Sequence, residues 1–187
     1  MARSSLRYVL PLAGLLFMSS PSAAEQFPTL EERTFESWQV MRDKRGVNVG
    51  TRNAAGLVLG WSCTGDGCRW ILVSPIDCEP GTRYNALASS GAGSYPLTLE
   101  CLGNSATAGY SRYQLTPDGS MDALVKNAKH ELGIVMSKVG GQFEVVRFSM
   151  QGYGTAINFW GGMFDRWLSD SGSSVPAKST KPDRQLL

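Results

Sequence analysis

Cys63, Cys68, Cys78 and Cys101 are the residues whose type and spacing bear most directly on chemistry. Their pattern, C-x4-C followed by x9 and x22, lacks the closely paired ligands of a zinc site and the CxxC of a redox centre. Four cysteines in a small exported chain read as two structural disulfides. His130 is the sole histidine, which removes His-pair metal sites and HExxH. Beside Lys129 at a helix end, where the dipole favours a cation, it is expected to be solvated rather than a general base. No serine stands in a G-x-S-x-G elbow, and the glycines around Gly91 and Gly93 lack the GK[ST] of a phosphate loop. The acids Glu31, Glu32, Asp66, Asp77, Asp118, Asp122 and Glu131 fall mostly at turns, so carboxylate hydrolysis requires the fold itself to bring two of them together. The expectation is a protein with no enzymatic activity, no cofactor and no metal.

The elements that must position the cysteines are legible as strands. Leu59, Trp61 and Cys63 alternate with Gly60 and Ser62, Cys68, Trp70 and Leu72 alternate with Arg69 and Ile71, and Thr64-Gly65-Asp66-Gly67 between them is turn chemistry. Folded as a hairpin, these strands put Cys63 opposite Cys68, Trp61 opposite Trp70 and Leu59 opposite Leu72, all on one face. Of the three possible connectivities this geometry favours Cys63–Cys68, leaving Cys78–Cys101. The Trp61/Trp70 pair shares the Leu and Cys face and is expected in the core rather than stacked on a ligand.

Further strands are expected at 35–41, 47–52, 84–88, 95–102, 110–115, 132–137 and 143–150, with a polar lead-in over 25–33, turns at Arg42 to Gly46 and Gly140-Gly141, and a flexible or tight connection from Ser89 to Ser94. In the last strand Phe143 and Val145 are read as inward and Glu144 as outward. One amphipathic helix, capped by Ser120, carries Met121, Leu124, Val125 and Ala128 on one face. The segment from Gly152 gathers Phe159, Trp160, Phe164 and Trp167 on a broad apolar face, with Gly161-Gly162 a potential break. This segment is expected to dock on the sheet; if exposed, those four aromatics are the candidate partner contact. The predicted fold class is mainly β: an antiparallel β-sandwich or barrel-like domain with one covering helix and a C-terminal aromatic helix.

Residues 1–24 carry Arg3 and Arg7, an apolar run from Tyr8 to Met18, and small residues Ser22 and Ala24, the pattern of a secretory signal cleaved before Glu25. The apolar run is too short to cross a bilayer, so no integral membrane segment is expected after cleavage. The organisation read from the chain is a signal peptide at 1–24, one β-rich domain at 25–168 and a disordered tail at 169–187. The whole chain of 187 residues carries 18 basic and 16 acidic residues. Losing Arg3 and Arg7 leaves the mature chain neutral, which excludes nucleic acid as an expected partner.

Two segments resemble a known family. Phe148-Ser149-Met150-Gln151-Gly152-Tyr153-Gly154-Thr155-Ala156-Ile157, after a helix and two strands, is similar to the closing signature of the invasion-associated locus B family, exported proteins of Gram-negative bacteria. Glu36-Ser37-Trp38-Gln39-Val40 resembles that family's opening strand. The resemblance covers mainly the C-terminal half, and the sequence departs from the family where Met41-Arg42-Asp43 follows the Trp strand in place of an early Cys. It implies a periplasmic or envelope location, possible secretion, a role loosely tied to host-cell entry, and no catalytic residues. The functional expectation is therefore an accessory or binding protein in contact with an envelope or secreted protein. The alternatives are a secreted hydrolase with carboxylates assembled by the fold, and an inhibitor presenting Gly91 to Ser94 to a secreted enzyme.

Overall fold

The Cys63–Cys68 hairpin sets the register for much of the sheet. β4 (Val58–Thr64) and β5 (Gly67–Ser74) pair antiparallel with Trp61 opposite Trp70 and Cys63 opposite Cys68, and the two indoles meet edge to face at 5.4 Å. The structure is a computed structural model and describes residues 31–91, 93–105, 109–116, 118–137 and 142–172. The expected signal peptide, the Gly140-Gly141 turn and residues 173–187 of the expected tail lie outside them.

Strands continue outward from the hairpin on both sides. On one flank lie β3 (Gly46–Arg52), β2 (Trp38–Arg42) and β1 (Glu31–Phe35); on the other, β8 (Ser111–Thr116), β7 (Gly93–Asn104), β6 (Arg83–Ser90), β9 (Glu131–Ser137) and β10 (Phe143–Ser149). The result is one antiparallel sheet of ten strands in the order β1-β2-β3-β4-β5-β8-β7-β6-β9-β10, accompanied by helices α1 (Asp118–Asn127) and α2 (Tyr153–Ser171). It is the mainly antiparallel β fold with a C-terminal aromatic helix that the alternation predicts.

Alternation along each strand sends one set of side chains to a common core. Trp38 and Val40, Val47 and Val49, Leu59 and Trp61, Trp70 and Leu72, Leu97 and Leu99, and Leu132 and Ile134 are all buried. α1 packs against β5 to β8 and α2 against β1 to β3. Opposed Gly50 and Gly60 let the backbones of β3 and β4 approach closely; a Cβ on Gly60 would sit 2.6 Å from the Val49 carbonyl oxygen.

The two ends of the curled sheet meet. The Trp38 indole N–H donates to the Ser149 carbonyl at 3.0 Å, the Ser37 hydroxyl to the Ser149 hydroxyl at 3.0 Å, and the Ser37 backbone N–H to the Gln151 carbonyl at 3.4 Å. Tyr153 then stacks edge to face on Trp38 at 4.9 Å. Gly152 sits at φ 84, and a Cβ there would lie 2.0 Å from the Phe35 carbonyl oxygen. The two segments that carry the family resemblance thus touch each other in space.

Several expectations are corrected. The strand read at 35–41 is broken by a tight turn at Glu36-Ser37, with Glu36 at φ 53 and Phe35 opposite Trp38; Glu31 to Arg33, read as lead-in, belong to β1 because their backbone pairs with β2. Glu36 and Ser37 carry no Asn-Gly or Asp-Gly signal, which is why the turn is invisible locally. Ser120 lies inside the first turn of α1, which begins two residues earlier. α2 passes unbroken through Gly161-Gly162 and reaches Ser171, so residues 169–171 belong to the helix and not to a tail. Two helical glycines cost about 1 kcal/mol each, and the buried aromatic face outweighs them.

Because Gly152 combines a left-handed backbone with close approach to β1, Gly152→Ala is expected to lose about 2 kcal/mol or more of stability. The loss should show as a lower urea midpoint at unchanged m-value.

Candidate functional site

The aromatic residues of α2 belong to the core. Trp160, Phe164 and Trp167 are only 3–4% exposed, with Trp160 stacked on Phe164 at 5.2 Å and Phe164 on Trp167 at 5.9 Å. Phe159 is half-buried against Phe35 at 5.2 Å. Ion pairs fix the helix at its far end, Arg166 to Glu31 at 3.3 Å and Arg42 to Asp170. The condition under which these four aromatics form a partner contact, exposure, is not met: β1 to β3 already cover that face.

The cysteines occupy structural positions. Cys63 is bonded to Cys68 across the hairpin, and Cys78 to Cys101 between the β5–β6 connection and β7. The longer bridge is reinforced by Gly81 N–H to Cys101 O at 2.8 Å and Cys101 N–H to Thr82 O at 2.9 Å; closing its loop contributes about 3 kcal/mol on the chain-entropy model. No free cysteine stands among the described residues.

Several candidate acids have specific structural partners. Glu31 pairs with Arg166, Glu131 with Arg147, and Glu32 accepts from the Gln39 amide. Asp122 accepts the Trp70 indole N–H at 2.7 Å. Burial pushes the Asp122 carboxyl above the usual carboxylate range, with the Trp70 hydrogen bond pulling it partly back. Tyr113 is raised to about 12, first by burial and then by Tyr84 and Asp77, while its hydroxyl donates to the Ile76 carbonyl at 2.8 Å. Among the described residues no three His, Cys, Asp or Glu side chains cluster as metal ligands would.

Two open clefts mark the surface. The first, about 920 Å³, is lined by Ser89, Ser90, Asn127, Lys129, His130, Glu131 and Arg147 beside β9 and β10; His130 lies just past the end of α1 and is exposed. The second, about 590 Å³, lies on the outer face of β3 to β5, floored by Gly50 and Gly60 and bordered by Arg45, Arg69 and Arg112. Partial burial, then Arg69 and Arg45, lower the Arg112 pKa from its ordinary value. In the first cleft Glu131 is already paired with Arg147, and in the second Asp43 is held by the Arg45 and Gly46 N–H groups at 2.7 and 3.0 Å. Ser89 and Ser90, read as part of a connection, belong to β6, and Ser90 pairs with both Gly93 and Leu132.

The most distinctive surface is one the sequence reading placed inside. Phe143 and Val145 are 73% and 51% exposed, whereas Val146 and Phe148 are buried, the reverse of the predicted phase. In FEVVRFS the Val145-Val146 doublet fits either phase; the decisive signal is Arg147, which shares the phase of Phe143 and Val145 and must reach water. On the outer face an apolar row continues from exposed Val145 through half-buried Val135 to exposed Leu87 and Pro96, neighbours across β10, β9, β6 and β7.

β10 is also an edge strand whose backbone orientation is fixed by its C-terminal end. The Met150 N–H bonds back to His130 O at 2.9 Å on the β9 side, whereas the Ser149 and Gln151 carbonyls face the other way to Trp38 and Ser37. By alternation, Phe143, Val145 and Arg147 aim their N–H and C=O groups at the open edge. Among the described residues no strand pairs there. The exposed side chains and the backbone groups that no described strand pairs therefore belong to the same three residues.

This architecture is a class of its own outline: a curled ten-stranded antiparallel sheet, two disulfides and two covering helices. Its fold is similar to the crystal structure of invasion associated protein B from Bartonella henselae, with a TM-score of 0.53 and 12% identity over 71% of this chain and 97% of that one. No family model matches the sequence, and no match to a curated protein is found.

Trp160→Ala is expected to cost about 3–5 kcal/mol, whereas Phe143→Ala should change stability by no more than about 0.5 kcal/mol; denaturant midpoints of the two variants measure the contrast. Asp122 has a raised folded-state pKa, so its contribution to stability is fully present below the ordinary carboxylate pKa and is lost as pH rises through the raised value. Asp122→Asn keeps an acceptor for Trp70 and removes that loss. The variant should be more stable than the parent at pH 7, with the gap narrowing as pH falls through the raised value and closed by about pH 4, checked by thermal melts across that range.

Proposed function

We propose that this chain is an exported, envelope-associated accessory protein of the periplasm that acts by binding another protein through β10, without catalysis. The observation that carries the reading is the coincidence, on one edge strand, of exposed Phe143 and Val145 with backbone groups that no described strand satisfies. Natural sheets usually blunt such an edge, because it is a template for strand addition. Here the edge carries apolar residues, a feature of contact surfaces.

Supporting features are consistent with export. The N-terminal 24 residues have signal-peptide character, and two disulfides suit an oxidising compartment. The fold shared with invasion associated protein B fits the same setting. The absence of a helix long and apolar enough to cross a membrane, among the described residues, is compatible with peripheral association.

A photo-crosslinking amino acid at position 143 in intact cells is expected to give discrete covalent protein adducts, lost when Val145→Pro is added. The same probe at Asp66, on the distant hairpin tip, should give none. Equal labelling from the two positions, or no adduct from position 143, would overturn the reading.

A further inference from the structure

The β10 edge has a sequence that complements itself. A two-fold axis perpendicular to the sheet brings together residues of the same phase, so only registers that pair odd with odd and even with even keep both outer faces on one side. Centring the pair on Glu144 sets it against its own copy, with like charges directly opposed. Centring it on Val146 calls on Ser149, whose carbonyl is already taken by Trp38. Centring it on Val145 uses only Phe143, Val145 and Arg147, the residues whose backbone groups face the open edge.

That last register sets no like charges against each other. Val145 meets the partner's Val145, and each Phe143 meets an Arg147, whose guanidinium can lie over the aromatic face. Glu144 falls opposite the apolar Val146. Each of the three outward residues exchanges its N–H and C=O with the residue facing it, giving about six backbone hydrogen bonds. The outer apolar row over Val135 and Leu87 then runs continuously across both copies.

We propose that β10 pairs antiparallel with β10 of a second copy of this chain, centred on Val145, so that two curled sheets join edge to edge. The proposal rests on the reading of β10 as the contact surface and names its occupant. A single strand pair buries less than a standard interface, so the association is weak and concentration-dependent.

The test uses the mature full chain. Sedimentation over a concentration series should show a rising mass that approaches that of a dimer. Val145→Pro deletes an N–H that points to the open edge and no bond to β9; it should weaken association at least tenfold while near-ultraviolet circular dichroism stays unchanged. Cysteine substitution fixes the register, since every described native cysteine is already bonded. With a short bismaleimide, V145C should crosslink to itself. F143C should not, its two copies being about 13 Å apart, but F143C mixed with R147C should. A monomer at all concentrations, or F143C crosslinking to itself as readily as V145C, would overturn the pairing. If the chain is monomeric and position 143 still captures other proteins in cells, self-pairing fails and the wider reading of β10 stands; if both fail, neither does.

Discussion

The structure depends on closing a long sheet upon itself, and the closure is made by one clasp. A sheet of ten strands has two open ends, and its concave face is buried only if those ends are brought together. Trp38 and Ser37 supply the donors, Ser149 and Gln151 the acceptors. Gly152, at a backbone conformation that avoids a Cβ, then turns the chain from β10 into α2 directly against the Phe35 carbonyl. From there α2 can lay its aromatic face over β1 to β3. Without the clasp that helix has no surface to cover, and Trp38, Trp160 and Trp167 lose their common core. The meeting of the Glu36–Val40 and Phe148–Ile157 segments gives a physical reason for their special composition: each is half of one joint.

The same closure accounts for how the side chains are committed. Most side chains with obvious potential are committed to structure: the cysteines to two bridges, the tryptophans to the core, Glu31 and Glu131 to ion pairs. Curling pairs the backbone of the inner strands but leaves β10 with a side over Phe143 to Arg147 that no described strand pairs, since the clasp engages only its last residues. Among the described residues the fold thus places backbone groups that no strand pairs beside exposed apolar side chains, and the proposed binding role rests on that placement more than on any individual residue.

Short-range signals were sufficient for much of this. The Cys63–Cys68 hairpin, with Trp61 against Trp70, was legible because Thr64-Gly65-Asp66-Gly67 fixes a turn and period-two alternation fixes the faces; the second disulfide followed by elimination. Strand alternation and the helical periodicity of α1 and α2 were local as well. The β1–β2 turn was not, because Glu36 adopts its left-handed conformation under constraint from tertiary packing, with no turn residue to announce it. The unbroken course of α2 through Gly161-Gly162 was likewise hidden, since burial of aromatics on a distant sheet outweighs the local glycine penalty.

By itself, then, the sequence determined the strand-rich class, the central hairpin register, the disulfide pairs and the docking face of α2, all consequences of side-chain periodicity and turn chemistry within a few residues. Tertiary structure alone decided what the edge of β10 offers. The Val145-Val146 doublet permits either phase; Arg147 is the local signal for the observed one, and the Ser149 carbonyl reaching Trp38 from more than a hundred residues away locks it in place. A one-residue change of phase exchanges every inward side chain for an outward one, so the observed phase turns Phe143 and Val145 from apparent core residues into the most prominent apolar surface of the protein.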